Sequence, residues 1–183
     1  LGNAGANGSL SNTSLVLSGG TLSYTRTGTV SQSFASGTTI GAGVSTVSES
    51  VAASQTLNLG ALSRNVGGVV NLSITGTPAG SSGITTSTAN TSSIIGGWAT
   101  YGGTSWAVAN GATSTITSLA SFTTTTTAGT TAASYTGNVD VTSSAGQIVG
   151  NITANSLRFN AAAAYTVTLA TGVNTITSGG VLV

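Results

Sequence analysis

Only two side chains in this chain are carboxylic acids, Glu49 and Asp140, and the only fixed cations are Arg26, Arg64 and Arg158. His, Cys and Met are absent. Two acids are the minimum equipment of a glycosidase, which holds a pair of carboxyl groups at a set separation. Their surroundings here, "VSESVAAS" and "GNVDVTSS", offer no supporting site. General acid–base and nucleophilic catalysis near neutral pH draw on a titrating imidazole, a thiol or clustered carboxylates. Zinc and redox metals lack their usual nitrogen and sulfur donors, and no D-x-D or D-x-N loop offers calcium a cage. The chain is therefore expected not to be an enzyme and to use no cofactor and no metal.

The second candidate is aromatic. Both tryptophans fall in "IIGGWATYGGTSWAV", residues 94–108, with a tyrosine between them. Trp98, Tyr101 and Trp106 would suit a platform for stacking sugars, because flat amphipathic rings match the apolar faces of pyranosides. Against this, a loop that leaves a regular coil needs a small core of its own. In extended geometry Trp98 also points opposite to Tyr101, so the spacing implies no single flat face. Packing is the expected role. The Thr-x-Thr pairs (Thr113/Thr115, Thr115/Thr117, Thr166/Thr168, Thr175/Thr177) would need a constant period to form an ice-like array, and they lack one. N-x-[ST] triplets at Asn7, Asn12, Asn71, Asn90 and Asn151 are expected by chance in so Ser/Thr-rich a chain. Arg64 and Arg158 alternate with apolar neighbours, which predicts outward, solvated positions.

These residues must be held by a chain of 183 residues in which 3% are charged, against roughly 25% in an ordinary soluble domain. A formal net charge of +1 with three dispersed arginines gives no basic stripe for a nucleic acid. Mean hydropathy of +0.36 and a single proline argue against disorder. No apolar run reaches the ~18 residues of a membrane-spanning helix. Leu1 follows no charged or apolar leader, as expected of a processed product or part of something longer.

The apolar period is two. "SLVL" (14–17), "TLSYT" (21–25), "TLNL" (56–59), "VVNLSI" (69–74), "NVDV" (138–141), "SLRF" (156–159), "YTVTL" (165–169) and "GVLV" (180–183) all read as short strands bounded by Gly, Asn or Ser. "AAAAY" (161–165) is too short to nucleate a helix. Inward positions are expected at Val139, Ile148, Ile152, Leu157, Val167, Ile176 and Val181. Short strands with tight Gly/Asn corners predict an all-β fold, a right-handed parallel β-solenoid, with an irregular loop-rich region near 78–135. The whole of 1–183 is read as a single solenoid domain. At ~20 residues per coil it would make about nine coils, each rising ~4.8 Å.

The ordered series "LGNAGANGSLSNTSLVLSGGTLSYTRTGTVSQSF", "TLNLGALSRNVGGVVNLSITG", "GITTSTANTSSIIGGWATYGGTSWAV", "NVDVTSS" and "NSLRFNAAAAYTVTLATGVNTITSGGVLV" resembles the autotransporter-associated β-strand-repeat proteins of Gram-negative bacteria. The resemblance implies a β-helical passenger, extracellular or on the cell surface. It implies no site residues, because the family pattern is structural.

Function is accordingly expected to be structural: a subunit of a bacterial filament or surface layer, assembled by head-to-tail stacking of solenoid ends. The chain's main partner is then itself. Leu10, Leu15, Leu17 and Leu22 at one end, and Val167, Leu169, Ile176, Val181, Leu182 and Val183 at the other, are the expected axial contacts. The alternative is an adhesin-like module that binds glycans, or other cells, through the Trp98/Tyr101/Trp106 loop.

Overall fold

The computed structural model describes residues 13–25, 28–51, 54–78, 82–125, 135–142, 147–162, 164 and 166–183. Among them there is no helix, and most strand pairs are parallel. The chain is a β-solenoid of about 6 turns. It divides into two compact units, Leu1–Ser118 and Leu119–Val183.

The first unit winds through three faces in strict rotation. One face carries β1 (Leu15–Leu17), β4 (Thr38–Ile40) and β7 (Leu62–Arg64). The next carries β2 (Gly20–Thr25), β5 (Gly43–Ser50) and β8 (Gly68–Thr75); the third carries β3 (Ser31–Ser33), β6 (Thr56–Asn58) and β9 (Gly83–Thr85). All six pairings within these faces are parallel and in unbroken register. The second face then continues through β10 (Ala99–Tyr101), parallel to β8, and ends in antiparallel β11 (Ser105–Val108) and β12 (Thr117–Ser118). These antiparallel pairs lie within the stretch expected to be irregular.

Register stacks like on like. Leu22 lies beside Val47, Val47 beside Leu72, and Leu72 beside Tyr101, all facing the core. Ile40, Val47, Leu57, Leu59, Val70, Leu72 and Ile84 are completely buried, and each such side chain contributes about 1.5–3 kcal/mol. Between them Val16 stands 64% exposed while Leu15 and Leu17 pack inward, the alternation that a half-buried strand requires.

In the second unit β13 (Thr123–Thr125), β14 (Thr136–Val141), β16 (Thr153–Phe159) and β18 (Thr175–Leu182) form one parallel sheet. β15 (Gln147–Val149) and β17 (Val167–Leu169) form a second, two-stranded one. Tyr135, Val139, Val141, Ile152, Ala154 and Leu157 make its core. Against β14 a bulge admits Asn155 as an extra residue, and against β18 the surplus lies in β18, where Thr177, Ser178 and Gly179 stand opposite Asn155 alone; both break the local ladder. The Asn155 amide is re-engaged at once: Nδ2 donates to Asn138 Oδ1 at 2.7 Å, and Oδ1 accepts from Thr177 at 3.1 Å.

Coils of the first unit are longer than the expected twenty residues: register partners lie 24 residues apart at Thr39–Ser63 and 27 apart at Asn58–Thr85. In the second unit they lie 18 apart at Asp140–Arg158 and 22 apart at Ala154–Ile176.

One corner depends on glycine for a definite reason. Gly37 and Gly60 both have positive φ, at 94° and 64°. A Cβ on Gly60 would lie 2.9 Å from Gly37 Cα and closer still to the Phe34 carbonyl oxygen. Two coils therefore meet backbone to backbone. Gly103, at φ 73°, has open space around its missing Cβ. Gly60→Ala should cost at least about 2 kcal/mol, since clash is added to strain, whereas Gly103→Ala should cost about 1 kcal/mol from strain alone. Urea unfolding of the two variants side by side checks the difference.

Candidate functional site

The aromatic loop is assembled on the end of the second face. Thr91 and Ile94 close a two-residue hairpin, Thr91 N–H donating to Ile94 O at 2.8 Å, with Ser92 and Ser93 both at positive φ. Asn90 pins this hairpin by a reciprocal pair of bonds to Ala109, 2.8 and 2.9 Å long. Gly96 then lets Trp98 fold back: a Cβ there would lie 2.8 Å from the indole Cδ1 and nearer still to Nε1. Trp98 and Tyr101 are half-buried and pack against the first core. Burial raises the Tyr101 phenol above its ordinary value.

Trp106 is different. It is 1% exposed, although its neighbour Ala107 already fills the core side of β11. Trp106 therefore lies on the opposite face of the strand and is covered there too. It pairs with Thr100, which in turn sits beside Asn71. Asn71 Oδ1 accepts from Thr100 Oγ1 at 3.1 Å and from Gly103 N–H at 2.8 Å, fixing the turn that joins the two aromatic strands. Neither Trp106 Nε1 nor Ser105 Oγ has a hydrogen-bond partner among the described residues. The three aromatics thus share a loop but do not form one open surface.

The two carboxylates sit in separate environments. Asp140 on β14 lies directly beside Arg158 on β16 and receives two of its bonds, from Nε at 2.8 Å and Nη2 at 2.5 Å. The guanidinium also stacks over the Phe122 ring, 4.0 Å from its centroid. Arg158 was expected to be solvated; bidentate pairing and the ring instead hold it half-buried. Arg64 is exposed as expected, with its Nε donating to Gly68 O at 2.8 Å.

Glu49 has no such partner. It lies beside Tyr24 on one side and Ile74 on the other, within the inward alternation of Ser45, Val47 and Glu49. It is 1% exposed, and neither carboxyl oxygen is hydrogen-bonded among the described residues. Desolvation pushes its pKa up to about 7. The spacing does carry the signal for this placement, because Val47, Glu49 and Val51 have the same parity.

The outer side of the same sheet is uncharged and hydroxylated. In register run Thr21, Thr46, Asn71 and Thr100; Ser23, Ser48 and Ser73; and Thr25, Ser50 and Thr75. These columns stack coil upon coil, and Thr175 does likewise with Thr153 and Thr136 in the second unit; other members of the Thr-x-Thr pairs are engaged elsewhere. Thr115 Oγ1, for example, is spent on Ser82 O, and Thr177 Oγ1 on Asn155.

The expected axial contacts fall into two groups. Leu15, Leu17 and Leu22 are half-buried against the first core, and Val167 and Ile176 against the second. Leu169, Val181 and Val183 are exposed and Leu182 is half-buried; Leu10 lies outside the described residues. Val181 was expected inside. It continues the ladder of Val139 and Leu157, yet it is 51% exposed, because no described strand lies beyond β18.

No family model, no curated protein and no solved structure matches this chain.

The unpaired carboxyl has a measurable consequence. Its proton is held more tightly in the folded chain than in the unfolded one, where the value is near 4.5. Glu49's contribution to stability is thus complete below pH 4.5, declines as pH rises, and is lost above about 7. Glu49→Gln should flatten that decline and stabilise the chain on the alkaline side by about 1–3 kcal/mol. Thermal unfolding across this range, followed by circular dichroism, checks it.

Proposed function

We propose that this chain is a structural subunit of an extracellular or cell-surface bacterial filament or layer, extended by pairing between solenoid edges. The observation that carries the reading is the edge of β18. This strand is eight residues long, and among the described residues it pairs with β16 on one side only. Val181 is 51% and Val183 97% exposed beside it. A long edge with no charge and no proline is a ready template for another strand. β2, at the edge of its own sheet, likewise pairs only with β5 among the described residues. An edge of one copy meeting a different edge of the next makes a heterologous contact, which propagates.

The near absence of charge supports the same reading, since little repulsion opposes association. The resemblance of the ordered motifs to the autotransporter-associated β-strand-repeat proteins supports an extracellular setting. The reading assigns no catalysis and no cofactor to the chain. In electron micrographs the wild type should form filaments, and Val181→Lys combined with Leu182→Pro should shorten or abolish them. Amide exchange over residues 38–75 should stay unchanged in that variant. A wild type that remains monomeric at every concentration in the ultracentrifuge would rule the reading out.

A second reading, an adhesin-like module for neutral glycans, is favoured by the partly open rings of Trp98 and Tyr101. On the structural reading, neutral oligosaccharides leave tryptophan emission unchanged. A saturable quench that disappears in Trp98→Phe would select the glycan reading instead.

A further inference from the structure

The turn between β11 and β12 is held by Ser114 N–H, which donates to Gly111 O at 3.1 Å, and by one carboxamide. Asn110 Nδ2 donates to Thr115 O at 2.7 Å and to Thr117 Oγ1 at 3.1 Å. This clamp positions two residues that matter beyond the turn. Thr115 bridges to Thr85 and donates its hydroxyl to Ser82 O. Ile116 is completely buried, and its N–H donates to Ile84 O at 2.8 Å. The clamp thereby covers the edge of β9.

The residue after Asn110 is Gly111. Both are exposed, and Gly111 has φ 104° with no atom within 4 Å of where a Cβ would stand. Gly111 N–H makes no hydrogen bond among the described residues. In an Asn-Gly step the glycine nitrogen can swing onto Cγ and close a five-membered ring once the two Nδ2 bonds let go. A side chain on the following residue, or a bond to its N–H, ordinarily hinders that closure; neither operates here.

We propose that Asn110 is a self-modification site whose deamidation releases the β11–β12 turn. Gly111 N–H loses its proton to solvent base, and the nitrogen attacks Asn110 Cγ. The new C–N bond forms, the Cγ–Nδ2 bond breaks, and ammonia leaves with the protons it needs from water. Water then opens the succinimide at either carbonyl, leaving aspartate or isoaspartate at 110. No electron changes hands, and water is the only co-reactant. The product replaces an N–H donor by a carboxylate oxygen facing the Thr115 carbonyl, so attraction becomes repulsion.

The test is to hold the folded chain in mildly alkaline buffer, map its peptides by mass, and probe samples with a protease. Conversion is expected at Asn110 ahead of Asn90, Asn138, Asn155 and Asn174, with cleavage within 110–117 rising in step. Asn110→Asp should show that early cleavage from the start. If this variant fails to fold, the wild-type time course decides. An Asn110 that stays intact while the chain is folded but converts after denaturation would overturn the proposal. So would conversion without any change in cleavage.

Discussion

In the parallel ladders of the described residues each coil obtains its backbone hydrogen bonds from the coil beside it. A parallel ladder leaves the N–H and C=O groups of one strand aimed at the next, so no coil is satisfied alone. The rest follows from that dependence. The side chains within each ladder must stack on their equivalents, which is why Leu22, Val47 and Leu72 align and why hydroxyls align on the other side of the same sheet. It also explains how a chain with so little charge and so few large apolar residues folds. Short polar side chains add further bridges between coils beside the backbone bonds, as Thr38 does to Leu59 O at 2.7 Å and Thr86 to Gly60 O at 2.6 Å.

The same logic separates the two carboxylates. Asp140 is matched one coil away by Arg158, so stacking satisfies it. Glu49 is matched by Tyr24 and Ile74, so stacking isolates it. A carboxyl group placed by register rather than by partner keeps its proton to unusually high pH. The folded chain therefore tolerates this group best in the form that carries no charge.

Much of the fold was legible in the sequence because strands such as "VVNLSI" and "NVDV" alternate apolar and polar residues cleanly. Strand β8 spans Gly68–Thr75 and β14 spans Thr136–Val141, close to those readings. What escaped notice was the polar half of the ladder. In β5 the inward positions are Ser45, Val47 and Glu49, so only one of the three is apolar. Hydropathy cannot reveal a strand whose inward face is chosen by its neighbours in space. Packing was the expected role of Trp106, but nothing in "TSWAV" says that it packs on the side opposite the core or that both faces of that strand are covered. The exposure of Val181 was missed for the opposite reason: alternation identifies the inward side of a strand, and says nothing of whether another coil covers it.

The unequal steps between coils have a bearing on how such a chain can change. Thr39 meets Ser63 after 24 residues, while Asp140 meets Arg158 after only 18, and both pairs remain in register. In the first unit surplus residues are absorbed at the corners, where the ladder makes no demand, and in the second also at bulges within the strands. Insertions and deletions at the corners can accumulate without disturbing the stacked strands, and divergent relatives need share neither corner length nor corner sequence. Descent in such a lineage would be preserved in the order of its ladders long after residue-by-residue similarity had worn away.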